Sequence, residues 1–250
     1  MSIHDEARRG FGASATAYER GRPGYPAEVL AWLVRQLPLL PDRTVLDVGA
    51  GTGKLTRELV GTGATVVAVE PVAAMREVLE RVVPAARVLD GTGEALPVGE
   101  GSADAIVVAQ AFHWFDVPRA LAEFHRVLRP AGRFALIWNR RRVDEPLHQQ
   151  ISAIIEPFRG GTPSHQRGEW REPVASSGLF AHVAEVEVPY DQIVDVEGAV
   201  DRVGSTSFIA ALPDREREDV LARIRALAED TAPPLRLGYV TEAYVYERRS

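Results

Sequence analysis

From Arg43 to Asn139 the chain alternates short, almost wholly apolar runs with stretches whose apolar residues recur every three or four positions. The runs are Thr44–Val48 (TVLDV), Ala64–Val69 (ATVVAV), Ala86–Leu89, Ala103–Gln110 (ADAIVVAQ) and Arg133–Trp138 (RFALIW). Runs this apolar, rich in β-branched and aliphatic residues, predict strands buried on both faces. Between them lie apolar stripes at helical spacing: Leu55, Leu59 and Val60; Met75, Val78, Leu79 and Val82; Val117, Leu121, Phe124 and Leu128. Pro84 stops the second stripe, and Pro130 with Gly132 is expected to end the third. Strand and helix in turn predict an α/β fold, a mostly parallel sheet covered on both faces.

Beyond Asn139 the pattern changes. Asn139–Gly178 is more polar, carries a Gly160-Gly161 break and predicts one helix over Leu147–Phe158, so it reads as an insertion or lid. His182–Tyr190 alternates like a strand, Val196–Leu212 and Arg215–Asp230 read as helices, and Gly238–Glu247 is a terminal strand. The resulting division is a helical N-terminal cap over 1–42, a core over 43–139, a lid over 140–180 and a C-terminal part over 181–250 with substrate-shaping helices.

Composition narrows the function. The 250 residues are 46% hydrophobic and 26% charged, an ordinary globular balance. A net charge of −6 leaves no basic excess for neutralising phosphates, which argues against nucleic acid as a partner. The absence of cysteine removes disulfides, thiolate catalysis and Cys-based metal sites. The six histidines, at 4, 113, 125, 148, 165 and 182, lack metal-ligand spacing, and there is no G-x-S-x-G elbow. The polar start and the lack of an apolar run near the roughly 18 residues of a membrane helix lead to an expectation of a cytoplasmic protein without a membrane partner.

The most informative stretch is Val45–Thr56, VLDVGAGTGKLT, with Gly49, Gly51 and Gly53 between a predicted strand and a helix start. Glycines there let the backbone turn tightly and bring N–H groups close to a ligand. A phosphate loop would need glycine where Val48 stands and a hydroxyl where Leu55 stands. A dinucleotide fingerprint would need glycine at Lys54 or Thr56. What remains is Asp47-x-Gly49-x-Gly51-x-Gly53, with Glu70 ending the second strand. A carboxylate at that place can take both hydroxyls of a ribose; the plainer alternative is that it caps the helix after Pro71.

These linked stretches resemble the class I S-adenosylmethionine-dependent methyltransferases, in particular their type 11 domain. VLDVGAGTGKLT is similar to the family's first motif, VVAVEP to its second, Gly91–Asp116 to the adenine-side motif and fourth strand, and Glu123–Asn139 to the helix and strand that close the core. Phe11, Ala15, Tyr18, Arg22-Pro23, Tyr25 and Pro26, with AQAFHWFD after strand four, resemble the trans-aconitate methyltransferase-like subgroup. The resemblance implies a Rossmann-like fold: seven strands, mostly parallel, with an antiparallel last strand and a small lid insertion. It implies S-adenosylmethionine as cofactor and S-adenosylhomocysteine as product. Gly49, Ala50, Gly51 and Gly53 would line the methionine and ribose, with Glu70 and Pro71 at the ribose and Asp47 ordering the loop or meeting the amino group. Thr92, Gly93 and Glu94 would lie along the adenine, and Gln110 beside the methionine. Thr92 departs from the acidic residue many relatives carry. Tyr18 and Arg22 would fold over the site, Arg22 toward the cofactor carboxylate, or would be helix-surface packing.

Two further groups sit at the carboxyl ends of predicted strands, where ligands bind in such folds. His113 can accept a proton from the methyl acceptor and Trp114 can shape its pocket, or both belong to a packed aromatic corner with Phe112 and Phe115. Arg140, Arg141 and Arg142 either steer an anionic substrate or form a solvated surface. The expected activity is methyl transfer to an oxygen, nitrogen or carboxylate of a small molecule, by a monomer or homodimer. An NAD-dependent oxidoreductase and a cofactor-binding protein without catalysis are the alternatives.

Overall fold

A computed structural model describes residues 15–162 and 165–250 of the chain; Phe11 of the N-terminal resemblance lies outside them. The helices are α1 (Ala15–Gly21), α2 (Ala27–Gln36), α3 (Thr56–Val60), α4 (Ala73–Val82), α5 (Val117–Val127), α6 (Pro146–Ile155), α7 (Arg171–Ser176), α8 (Val196–Gly204), α9 (Ser207–Ala210) and α10 (Asp214–Asp230). The strands are β1 (Thr44–Val48), β2 (Thr65–Val69), β3 (Arg87–Leu89), β4 (Ala103–Ala109), β5 (Leu128–Arg141), β6 (Phe180–Val194) and β7 (Leu235–Arg248). They form one seven-stranded sheet in the order β3-β2-β1-β4-β5-β7-β6. β1 pairs in parallel with β2 and β4, β2 with β3, and β4 with β5, while the last strands are antiparallel. The strand order reverses between β1 and β4, the switch point at which such sheets open a crevice at the strands' carboxyl ends.

The residues fall into two compact units. The larger comprises Gly24–Trp138, Thr241–Ser250 and the described residues of Pro163–Val188. Its core lies on both faces of the sheet. Val48, Ile106, Phe124, Phe134 and Trp138 belong to one cluster, and Val29, Leu33, Val45, Leu59, Val107 and Ile137 to the other. Alternate residues of the same strand feed opposite clusters, which is why these strands read as continuous apolar runs. Asp104, buried at the start of β4, accepts from the Thr44 N–H at 2.9 Å and pairs with Arg43 and Arg129 at 3.0 and 2.6 Å, tying β4 to β1.

The smaller unit comprises Asn139–Thr162, Pro189–Val240 and the described residues up to Pro23. Ile151, Ile155, Val200, Val203, Phe208, Ile209, Ile224 and Tyr239 make its core. α1 lies directly on α8: a Cβ at Gly21 would come within 2.5 Å of the Arg202 backbone nitrogen. Arg20 bonds Asp201 at 2.8 Å across the same pair of helices.

Several boundaries differ from the pattern, three of them for a visible local reason. α5 ends at Val127, before Pro130, and β5 begins at Leu128. Residues 129–132 bulge, since Ala103 pairs with Leu128 but Ala105 with Arg133, and Ala131 adopts φ 59° to make the bend. The stretch predicted as one helix over Val196–Leu212 is two, parted where the Ser205 hydroxyl donates to the Arg202 carbonyl at 2.9 Å. The helix expected to reach Phe158 is α-helical only to Ile155 and finishes as a tighter single turn over Glu156–Phe158.

Candidate functional site

The loop from β1 to α3 carries Gly49, Gly51 and Gly53, all with positive φ (71°, 59° and 89°). The Gly49 and Ala50 N–H groups donate to the Val69 carbonyl at 2.8 and 3.2 Å, so the loop is pinned to the end of β2. Packing supplies a further reason for two of these glycines. A Cβ at Gly49 would meet the Ala111 methyl at 2.5 Å, and one at Gly53 would collide with Leu79.

Asp47 and Glu70 bracket this loop, both buried. The Thr56 hydroxyl donates to Asp47 Oδ2 at 2.6 Å, tying strand end to helix start, while Asp47 Oδ1 is enclosed without a partner. Burial pushes the Asp47 carboxyl up to about 7; the Thr56 bond opposes the rise and the nearby Glu70 adds to it. Glu70 accepts from the Gly51 N–H through Oε2 and from the Val72 N–H through Oε1, each at 2.9 Å. It therefore serves the glycine loop and the entry to α4 together. Burial raises its carboxyl also, against those two bonds. Each carboxylate oxygen has a second lone pair, so these contacts leave acceptor capacity toward a ligand hydroxyl. The Glu70 carbonyl, just before half-buried Pro71, accepts from Arg76, which pairs with Asp90.

The turn after β3 places Thr92 and Ala95 in an isolated antiparallel bridge. Gly93 lies against the Phe115 ring, 2.6 Å from where its Cβ would be. Glu94 Oε1 accepts from the Asp116 N–H at 2.8 Å, and Asp116 in turn caps α5. At the end of β4, Gln110 has φ 61° while its N–H donates to the Ile137 carbonyl at 2.8 Å. A non-glycine residue held in the left-handed region at the mouth of a parallel strand carries strain of the kind found at ligand sites.

Phe112–Trp114 form a single 3-10 turn, with Phe112 edge-on to Phe115 at 5.8 Å and to Trp170 at 6.4 Å. The Trp138 indole N–H donates to His113 Nδ1 at 3.3 Å. An indole nitrogen can only donate, so the neutral His113 ring carries its proton on Nε2. His165 stacks on Trp138, centroids 5.4 Å apart and planes 9° apart, and lies 6.2 Å from His113. Trp170 sits 4.8 Å from Trp138, and the Arg171 guanidinium lies 4.8 Å from both the Trp170 and the Tyr244 rings. The packed aromatic corner and the polar His113 thus coexist. Trp138, His165 and Trp170 were invisible as partners of His113 in the pattern, because only pairing of β4 with β5 brings Trp138 beside the turn.

Tyr18 and Arg22 belong to the smaller unit. The Arg22 guanidinium lies 4.9 Å from the Tyr18 ring centroid and donates to the Ser205 carbonyl at 2.7 Å. The three consecutive arginines have different surroundings. Arg141 is 17% exposed and meets Glu156 at 3.4 Å, Arg142 pairs with Glu145 at 2.9 Å, and Arg140 is half-buried, so they do not form a uniform solvated patch. Among the described residues no three His, Asp or Glu side chains gather as a metal ion would require, and no helix is long and apolar enough to cross a membrane.

Residues 46–136 match the family model described as a methyltransferase domain. An uncharacterized methyltransferase of Mycobacterium tuberculosis is 42% identical over 238 residues, 92% of each chain. Among solved structures, the YcgJ protein of Bacillus subtilis superposes with a TM-score of 0.56 at 20% identity, covering 90% of this chain and 100% of that one. The geranyl diphosphate C-methyltransferase of Streptomyces coelicolor, solved with Mg2+, geranyl diphosphate and S-adenosyl-L-homocysteine, superposes at 0.52 with 17% identity, covering 89% of this chain and 80% of that one. With a glycine loop bracketed by Asp47 and Glu70 at the switch point of a β3-β2-β1-β4-β5-β7-β6 sheet, and a relative of this identity along nearly its whole length, the chain belongs to the class I methyltransferases.

Proposed function

We propose that the protein uses S-adenosylmethionine to methylate an oxygen, nitrogen or carboxylate of a small molecule, in the cytoplasm. The observation that carries this reading is the buried pair around the loop. Glu70 keeps acceptor capacity on both oxygens, and Asp47 Oδ1 is a buried acceptor without a donor. A ribose diol and an α-ammonium group are the donors those two carboxylates suit. When bound, S-adenosylmethionine supplies a methyl group already activated by its sulfonium leaving group.

The chain's own work is to bind, orient and exclude water. Glu70, beside Pro71, holds the ribose, and the backbone of Gly49, Ala50, Gly51 and Gly53 comes close to the sugar and methionine. Thr92, Gly93 and Glu94 border the adenine, Gln110 fixes the methionine end, and Trp114 bounds the acceptor. His113 borders the acceptor, but the Trp138 indole N–H occupies its Nδ1, so the proton-accepting role expected of it is not open to that nitrogen. Alignment of reacting atoms can supply most of the rate in such a transfer, on the order of 7–11 kcal/mol for well-oriented groups. Lys54, standing where a dinucleotide loop needs its third glycine, speaks against an NAD-dependent oxidoreductase.

The test is calorimetric titration with S-adenosylmethionine, S-adenosylhomocysteine and NAD. Saturable binding of the first two and not of NAD is expected, with Glu70→Ala weakening it about tenfold or more, the scale of 1.4 kcal/mol. No binding of either sulfur ligand would overturn the reading. Binding without methyl transfer to a broad acceptor panel would point instead to a cofactor-binding protein without catalysis.

A further inference from the structure

The smaller unit gathers three guanidinium groups with too few carboxylates to match them. Arg22 spends one of its five N–H groups on the Ser205 carbonyl, and its Nε is enclosed without a partner. Arg202 donates through Nε to the Tyr239 hydroxyl at 2.8 Å, and its guanidinium lies 5.7 Å from that ring's centroid. Arg141 meets Glu156 only at 3.4 Å, whereas Glu156 grips Arg159 with both oxygens at 2.5 and 2.7 Å. The other nearby acids are engaged: Asp201 with Arg20, and Glu145 with Arg142 and the Gly238 N–H. Among the described residues no carboxylate pairs with Arg22 or Arg202.

The three charges feel one another. Burial first, then the charges of Arg202 and Arg141, pull the Arg22 guanidinium down to about 10. Burial and Arg202 lower Arg141 as well. His148, buried beside Tyr239, is held down to about 4 by burial and then by Arg141 and Arg202, so it is neutral at pH 7 and adds no charge. Like charges held together in partial burial are unfavourable unless an opposite charge joins them. Guanidinium forks present paired donors that match planar carboxylate or phosphate oxygens.

We propose that Arg22, Arg141 and Arg202 form a binding site for the oxyanion group of a small ligand, a carboxylate or a phosphate. This site rests on residues of the smaller unit and gives Arg22 a role in place of the expected one toward the cofactor carboxylate. It recasts two of the arginines noted in the sequence, Arg22 and Arg141, as parts, with Arg202, of one recognition surface.

The experiment titrates the full-length protein with sodium phosphate and separately with sodium malonate, at an ionic strength held constant with chloride, reading melting temperature and heat of binding. A saturable response to at least one probe is expected. Arg22→Gln and Arg141→Gln should each weaken it at least tenfold, Arg22→Lys should fall between, and Arg225→Gln, removing a surface partner of Glu197, should leave it unchanged. Saturation by phosphate alone assigns a phosphate ligand; saturation by malonate alone assigns a carboxylate. No saturable response to either probe, or a response that folded Arg22→Gln and Arg141→Gln proteins retain in full, overturns the proposal. S-adenosylmethionine binding measured on the same samples separates the two roles of Arg22: it should be unchanged in Arg22→Gln and Arg141→Gln, and its loss in Arg22→Gln without any change in the phosphate or malonate response would return Arg22 to the cofactor carboxylate and overturn the proposal.

Discussion

Asp47 and Asp104 show how one residue type acquires opposite roles from its surroundings. Burial, only partly offset by one hydroxyl donor, raises Asp47 to about 7, so folding without a ligand disfavours its charged form. A folded value above the unfolded one gives stability that is present in full below pH about 4 and is lost as pH rises through 7. Asp47→Asn should therefore unfold at higher urea than wild type at pH 8, by a few kcal/mol, and the gap should close toward pH 4. A gap independent of pH would refute that account. Burial acts on Asp104 too, but the Thr44 N–H, Arg129 and Arg43 more than reverse it and hold its carboxyl below the ordinary range. Its contribution is therefore lost on acidification. Asp104→Asn should cost roughly 1–3 kcal/mol at neutral pH, on the scale of hydrogen bonds to charged groups, and progressively less as pH falls below 4, read from urea melts. The sequence pointed to Asp47 and Glu70 through the glycine spacing. It gave no sign of Asp104, whose partners come from Arg43, Thr44 and Arg129.

At the scale of elements, the helical and strand stretches were legible but several of their ends were not. Asp195 accepts from the Gly198 N–H at 2.7 Å and starts α8, a contact that the apolar spacing did not single out. Asp195→Ala should lower stability by about 1 kcal/mol, measured by thermal melting. Gly53 carries two constraints, φ 89° and contact with Leu79 on α4 and Val83 just after it, so Gly53→Ala should destabilise by about 3 kcal/mol. Gly24→Ala, with nothing within 4 Å of the added carbon, should change stability by less than about 1 kcal/mol. The β4–β5 bulge at Ala131 was not legible. Pro130 and Gly132 look like a helix end, and only pairing with Ala103 and Ala105 makes the same residues a kink inside a strand. The break after Gly204 was also missed, because the apolar spacing of Val200, Val203 and Phe208 continues across it.

Across the molecule, the sheet's two faces carry the packing. Phe134 touches Phe180 at 4.7 Å, Tyr246 at 4.9 Å and Phe124 at 5.7 Å, centroid to centroid, and is wholly buried. Phe134→Ala should cost roughly 3–5 kcal/mol, read from urea unfolding. The α/β class, the parallel strands and the glycine loop with Glu70 follow from the chain by itself, because their signals are local: period, punctuation and a motif within a single β-turn-α-β unit. What only the tertiary structure decided are the meetings of residues far apart in sequence. Trp138 reaches His113 across the β4–β5 pair, and Arg22 joins Arg141 and Arg202 in the smaller unit. No local period encodes such contacts, since each depends on strand order and helix packing that bring together segments separated by 25 residues in the first case and more than a hundred in the second.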